Sequence, residues 1–353
     1  MKVLSVVGAR PQFVKLAPVS RALRAAGADH VVVHTGQHYD ARMSDVFFDD
    51  LAIPAPDVHL GVGSGSHGFQ TGRMLVELDP VLEQHNPDWV LVYGDTNTTI
   101  AAALAAVKLH LPVAHLEAGL RSWNRQMPEE HNRVLTDHAS DLLLAPTALG
   151  MANLVREGLA DRSVEVGDVM ADICLRVRDL VAGTRPAAVR AQVGDGDYVL
   201  ATLHRPANTD DQGRLRAVIG ALQAFEVPVL LAAHPRLVSR AQGAGIELEG
   251  GAVRTLPPLA YPDMVAALVG AAAVVTDSGG LQKEAFLLGT PCTTLRTETE
   301  WPETLQGGWN VLLPGEPSEL GDLALRRPPA ERIGHPYGEG HASEAVVQAL
   351  TSR

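Results

Sequence analysis

Met1-Lys2-Val3-Leu4-Ser5-Val6-Val7-Gly8-Ala9-Arg10-Pro11-Gln12 opens the chain, and the fold turns on how this stretch is read. Val3 to Val7 is a short, largely apolar run without polar alternation, the pattern of a strand buried on both faces of a parallel sheet. Gly8 breaks the run, and Pro11 suits the first turn of a following helix, where its missing N–H costs nothing. The break comes too early for a signal-peptide core or a membrane span. A buried strand that passes through a glycine turn into a helix is the start of a βαβ unit.

The unit repeats along the chain. His30 to His34, Trp89 to Tyr93, Val113 to Leu116 and Leu142 to Ala145 read as further buried strands. Pro11 to Ala26, Ser66 to His85, Thr98 to His110 and Glu129 to Ala139 have the length and apolar spacing of crossover helices between them. Val164 to Val166 closes this half, and Gly167-Asp168-Val169 reads as a hinge. The rhythm restarts at Tyr198 to Leu203 and continues through Val229 to Ala232, Val253 to Leu256, Val274 to Thr276 and Thr293 to Leu295. The expected fold is therefore α/β with two Rossmann-like domains, residues 1–167 and 168–335. Residues 336–353 form a terminal helical segment open to packing back on the first domain.

Composition narrows the function. A chain of 353 residues, 46% hydrophobic and 20% charged, suits two globular domains. Its net charge of -12 argues against general nucleic-acid binding, so an anionic ligand must be held by a few local cations and helix N-termini. Cys174 and Cys292 lack metal-ligand spacing and suggest no disulfide framework, which suits a reducing cytoplasm.

Gly63-Ser-Gly65-Ser-His-Gly68 matches a dinucleotide fingerprint by letter, but the segment before it, Pro54-Ala-Pro56-Asp-Val-His-Leu60, is broken by two prolines where a buried strand is required. It reads as a loop capping the next helix. Stronger candidates sit where strands end, because ligands of open α/β sheets bind outside the carboxyl ends of the strands. Arg10 and Lys15 follow the first strand beside a helix N-terminus and suit a pyrophosphate, although spacing alone fits solvated surface cations equally well. Asp95 ends one strand and reads as readily as a helix N-cap. Glu117, between an apolar strand and Ala-Gly, is poorly placed as either a cap or a surface residue. Glu129 stands at a helix start, where the helix dipole also favours an acid. In the second half, His204-Arg205 and His234 end successive strands, Ser278-Gly279-Gly280 forms a strand-to-helix turn suited to cradle a phosphate, and Glu284 lies on the helix after it, where it suits ribose hydroxyls or is an ordinary acid of an amphipathic helix.

Gly8 to Lys15, Gly94 to Thr99, His115 to Arg121, Pro128 to Arg133, His204 to Asn208, Asp277 to Glu284 and Pro336 to Gly340 together resemble, in order, the hallmark segments of the non-hydrolysing UDP-N-acetylglucosamine 2-epimerase family. The resemblance implies a glycosyltransferase-B-like fold with the active site in the interdomain cleft, a homodimer, and interconversion of UDP-GlcNAc and UDP-ManNAc with no metal or nicotinamide. It carries substrate or catalytic roles to Arg10, Lys15, Asp95, Glu117, Glu129 and His204, and UDP contacts to Ser278, Gly279, Gly280 and Glu284. Met264 falls where the family closes over uracil. Three positions depart from the family: Gln12 and Ala207 stand where Glu is frequent, and Trp301 where Arg is. Bacterial members bind a second UDP-GlcNAc as activator near a Gln-His-Arg segment. Here the chain reads Gln37-His38-Tyr39-Asp40, which leaves allosteric activation open.

Inverting C2 breaks a C–H bond of no useful acidity, so the enzyme must oxidise a neighbouring carbon or expel the C1 substituent. Without a credible dinucleotide fingerprint, expulsion of UDP to 2-acetamidoglucal and its re-addition is the economical expectation, with Glu117 favoured for the main proton transfer. Four readings remain beside it: a 2-epimerase of a UDP-2,3-diacetamido uronic acid, a hydrolysing epimerase, a retaining glycosyltransferase and a non-catalytic UDP-sugar sensor.

Overall fold

The structure, a computed structural model, describes residues 1–37, 55–257, 259–330 and 334–353, the side chain of Arg10 excepted. It divides into two compact units, Met1–Ile173 with Pro336–Arg353, and Cys174–His335.

The first unit is built on a parallel sheet of β1 (Lys2–Val7), β2 (Asp29–His34), β3 (Val58–His59), β4 (Trp89–Tyr93), β5 (Val113–Leu116), β6 (Leu142–Ala145) and β7 (Ser163–Glu165), in the order β3-β2-β1-β4-β5-β6-β7. β1 lies between β2 and β4, with Val3 opposite both His30 and Trp89. Both its edges are therefore paired, and Val3, Leu4, Val6 and Val7 are fully buried. A buried leucine contributes roughly 1.5–3 kcal/mol on this bookkeeping, so the central strands carry much of the unit's stability. β3, which follows Pro56, is a two-residue edge strand, a position that periodicity does not flag.

Helices α1 (Arg10–Ala25), α2 (His67–His85), α3 (Asn97–Lys108), α4 (Pro128–Ala139) and α5 (Ala148–Arg156) connect these strands. Ser66 caps α2, its hydroxyl accepting the Phe69 N–H at 3.4 Å, so Gly63 to Ser66 is a capping loop and Gly68 lies in the first turn of the helix. The alanine-rich α3 is buried along most of its length between α2 and α4. The helix Ala342–Thr351 packs on α1. Asp172 accepts the Ala342 and Ser343 N–H groups at its start, at 2.9 and 2.7 Å, and Trp89 Nε1 donates to the Leu350 carbonyl at its end.

The second unit repeats the plan with β8 (Val199–Thr202), β9 (Val229–Ala232), β10 (Val253–Leu256), β11 (Ala273–Thr276), β12 (Cys292–Thr294) and β13 (Asn310–Leu312), in the order β10-β9-β8-β11-β12-β13. Every pairing is parallel. In each unit the first strand is flanked by the second and the fourth, which is the Rossmann-like order. The topological switch points therefore lie at β1/β4 and β8/β11, and the carboxyl ends of those strands are where a ligand crevice is expected.

His34, at the end of β2, is buried in a stack between Phe13 and His59, with ring centroids 4.9 and 4.5 Å away. Its Nδ1 accepts the Gly36 N–H at 2.8 Å, which requires an unprotonated Nδ1. Burial, reinforced by His59, pushes its pKa down to about 4. The unfolded chain, with its histidine near 6.5, then binds a proton that the folded chain refuses between about pH 6.5 and 4. Stability is thus full above that window and falls as pH drops through it, by up to about 3 kcal/mol for this residue. Thermal melts from pH 7 to 4 should show the decline, and His34→Asn, whose Oδ1 can accept the same N–H, should flatten it in part.

Candidate active site

At the β1/β4 switch point the buried Gln12 amide ties the two strand ends together. Its oxygen accepts the Gly8 and Ala9 N–H groups at 2.8 and 3.0 Å, and its nitrogen donates to the Tyr93 carbonyl at 2.9 Å and to Thr99 Oγ1 at 3.1 Å. One turn along α1, Lys15 Nζ meets Glu117 Oε2 in an ion pair whose side chains are each only 10% exposed. The pair lies against the backbone of Gly94, where φ is +63° and a Cβ would stand 3.1 Å from Glu117 Oε2 and 3.2 Å from Lys15 Nζ. Burial alone would lower the lysine's pKa. The charge and hydrogen bond of Glu117, with the charges of Asp95 and Asp168, outweigh it and hold the pKa above its ordinary value, so Lys15 is a cation.

Glu117 itself has a φ of +74°. For a side chain of this size the left-handed region costs on the order of 1–2 kcal/mol, and such strain persists only where the surroundings impose it. Here the Glu117 and Ala118 N–H groups both donate to the Leu144 carbonyl, at 3.1 and 3.2 Å. Two residues on, Gly119 has a φ of +82°, and a Cβ there would strike the Gly150 carbonyl.

Asp95 does not cap the following helix; Thr96 does, through the Thr99 N–H. The Asp95 carboxylate instead takes two hydrogen bonds from Arg133, Nη2 at 2.5 Å and Nε at 3.1 Å. Arg133 also reaches Glu130 at 2.9 Å. Arg133 was not singled out as a site residue in the sequence, although Glu130 and Arg133 stand at the i, i+3 spacing of one helix face. Of the two consecutive acids, Glu130 is buried and spent on Ser122, Trp123 and Arg133. Glu129 is half-buried and makes no side-chain hydrogen bond or ion pair among the described residues. Lys15, Glu117, Asp95 and Arg133 thus form one charged group at the strand ends. The side chain of Arg10 lies outside the described residues.

In the second unit, the fully buried Asp277 ends β11 and gathers the end of β8 around it. Its carboxylate accepts the His204 and Arg205 N–H groups at 3.0 Å, Asn208 Nδ2 at 3.1 Å and His204 Nδ1 at 3.0 Å. Burial would raise its pKa, and the His204 hydrogen bond and charge, followed by the Arg205 N–H and Asn208, hold it below the usual carboxylate range. His204 keeps 40% of its side chain exposed, with the His234 ring centroid 6.0 Å away. His234 caps the helix Pro235–Gly243 by accepting the Arg236 N–H. Ser278 caps α6 (Gly279–Leu288), accepting the Leu281 N–H, while the first-turn N–H groups of Gly279 and Gly280 have no partner within the helix. Arg205 lies at the Gly279 face, where a Cβ would meet its Nη2 at 3.7 Å, and pairs with Glu300. Glu284, on α6, accepts the Tyr261 hydroxyl at 3.0 Å. Met264 is half-buried against the core behind this helix. No cluster of three or more His, Cys, Asp or Glu side chains among the described residues could hold a metal ion, and no helix among them is long and apolar enough to cross a membrane.

The model of the UDP-N-acetylglucosamine 2-epimerase family matches residues 21–351. The chain belongs to that family. A crystal structure of UDP-GlcNAc 2-epimerase from Methanocaldococcus jannaschii, in complex with UDP-GlcNAc and UDP, matches with a TM-score of 0.88 and 38% identity over 100% of both chains. The Neisseria meningitidis enzyme bound to UDP-GlcNAc matches with a TM-score of 0.86 at 29% identity, again over 100% of both. A UDP-2,3-diacetamido-2,3-dideoxy-D-glucuronate 2-epimerase of Pseudomonas aeruginosa is 45% identical over 99% of each chain. This epimerase is accordingly an isomerase-family protein of the glycosyltransferase-B-like class, with two Rossmann-like units.

Two departures from the family's usual residues now have a structural account. Gln12 donates to a carbonyl, which an ionised glutamate could not do. Trp301 is buried and carries Lys283 Nζ on its ring face, 3.8 Å from the centroid, so a cation–π contact stands where the family often has arginine. Ala207 is exposed, and nothing in the structure explains it. Of the segment Gln37-His38-Tyr39-Asp40, only Gln37 is described, and its Oε1 accepts from Thr98 N and Oγ1.

Gly94→Ala should cost about 1–2 kcal/mol, because alanine resists the positive φ and its Cβ presses on the Lys15–Glu117 pair. Denaturant unfolding of this epimerase would measure the loss.

Proposed function

We propose that this epimerase inverts C2 of UDP-N-acetylglucosamine, giving UDP-N-acetylmannosamine, by eliminating UDP to 2-acetamidoglucal and adding it back. The observation that carries the reading is Glu117, held on strained backbone against a buried lysine at the end of β5, with Asp95 one strand away.

In the elimination the C1–O bond breaks with its electron pair passing to the β-phosphate oxygen, and the C2–H pair becomes the C1=C2 bond while the proton goes to a carboxylate. Departure of the phosphate makes C2–H acidic, and so cations and N–H donors at the phosphate and carboxylates at C2 must act together. The first unit offers Glu117, Asp95 and Glu129 for proton transfer and charge stabilisation, with Arg10 and Lys15 toward the pyrophosphate. The second offers the Ser278-Gly279-Gly280 turn for phosphate, Glu284 for the ribose and Met264 for the uracil, with His204, Arg205 and His234 as polar contacts near the leaving group. Protonation of the glycal from the opposite face, then re-addition of UDP, completes the inversion.

Glu117→Gln should lower turnover about a hundredfold or more, the scale of a lost acid–base group. NMR of UDP-GlcNAc in heavy water follows it, with deuterium entering C2 and the bridging oxygen scrambling into the β-phosphate during turnover of the unmodified enzyme. Deuterium at C2 without bridge-oxygen scrambling would contradict elimination. Glu284→Gln should weaken UDP binding by about 1–3 kcal/mol by calorimetry, as for a lost charge-assisted hydrogen bond.

The 45% identity to the Pseudomonas enzyme favours a second reading, in which the sugar is a UDP-2,3-diacetamido uronic acid. The chemistry at C2 would be the same. A kcat/KM comparison of the two sugar nucleotides decides between them. Two buried free thiols, Cys174 and Cys292, support placement in the cytoplasm, and a homodimer, expected from the family resemblance, is checked by light scattering.

A further inference from the structure

We infer that Asp137, a fully buried carboxylate on α4, is the positioning residue for Glu117: it grips the chain on both sides of that residue and through His115 ties it to the strand end that carries Asp95.

The contacts bracket Glu117 in sequence. Asp137 Oδ1 receives His115 Nδ1 at 2.7 Å, two residues before it. Asp137 Oδ2 receives the Gly119 N–H at 3.1 Å, two residues after it, and Arg121 Nη1 at 2.7 Å, four after it. One carboxylate therefore fixes both flanks of the only segment that holds Glu117 in the left-handed region. The other nitrogen of His115, Nε2, meets the Gly94 carbonyl at 2.7 Å, immediately before Asp95. Both ring nitrogens face oxygen acceptors, so the ring bridges Asp137 to the Gly94 carbonyl. Arg121 turns its remaining edge to Glu157, with two bonds of 2.7 Å, and Asn153 Nδ2 donates to the Gly119 carbonyl at 2.9 Å. The His115, Asp137 and Arg121 side chains of this cluster have no exposure at all. Burial alone would push the Asp137 carboxyl up, yet His115 and Arg121 hold it below its usual range.

Asp137 reaches no solvent and so touches no substrate. Its effect on the reaction passes through the backbone of residues 115–121. A 1 Å misplacement of a reacting group can cost a hundredfold in rate, which is the sensitivity such a clamp serves. The inference rests on the reading that Glu117 transfers the C2 proton, and a double-mutant cycle separates the two ideas.

The kcat and KM for UDP-GlcNAc epimerisation are measured by NMR for the unmodified enzyme, Asp137→Asn, Glu117→Gln and the double variant, with melting temperature and UDP affinity recorded for each. Asp137→Asn should lower kcat about ten- to a hundredfold and leave KM and UDP affinity within about twofold. Combined with Glu117→Gln, it should lower kcat less than about threefold further, because the residue it positions is already disabled. An equal fold-loss in both backgrounds, or a loss matched by falling UDP-binding stoichiometry, would make Asp137 a structural residue only and overturn the inference. Normal turnover in Glu117→Gln would instead remove the reading beneath it. If Asp137→Asn does not fold, Arg121→Lys, which leaves Asp137 bonded to His115, enters the same cycle with the same two outcomes.

Discussion

Lys15 and Glu117 form an ion pair in a place almost closed to water. Removing one partner of such a pair typically costs about 3–5 kcal/mol, because the charge left behind is neither solvated nor paired. The rest of the first unit is arranged around that constraint. Gly94 leaves room for the pair, Gln12 fixes the two strand ends between which it lies, and the buried cluster around Asp137 fixes the strained turn. Arg133 supplies a further cation, shared by Asp95 and Glu130.

The second unit meets a related problem by different means. A chain with a net charge of -12 must hold an anionic ligand with local charge alone. Its β8 and β11 ends place His204, Arg205 and the glycine-rich start of α6 together, and Asp277 holds the first two by their backbone N–H groups. In each unit a buried aspartate holds backbone beside candidate site residues, Asp137 at Gly119 and Asp277 at His204 and Arg205. Asp137 and Asp277 thus play parallel parts on two sheets of the same strand order.

Much of this was legible in the sequence because parallel strands buried on both faces must be apolar throughout, and so Val3 to Val7 or Leu142 to Ala145 can hardly be read otherwise. Strand ends are legible for the same reason, and with them Lys15, Asp95, Glu117, His204 and the Ser278 turn. The two-residue β3, behind its prolines, and β13 carry too few residues for a period. Arg133 and Asp137 escaped because a charged residue on an amphipathic helix looks alike whether it faces solvent or a buried counter-charge. Glu129 and Glu130 show the same limit: adjacent acids at one helix start, of which one is buried and fully bonded and the other is not.

The sequence by itself determined the two α/β units and which loops follow the strand ends, because burial periodicity and turn chemistry are local properties of the chain. Only the tertiary structure decided which charges meet. Lys15 and Glu117 are far apart in the chain, as are Asp95 and Arg133, or His204 and Asp277. Their pairing follows from the register of strands brought together by the sheet, and the electrostatics of a buried group depend on distances that no sequence spacing records.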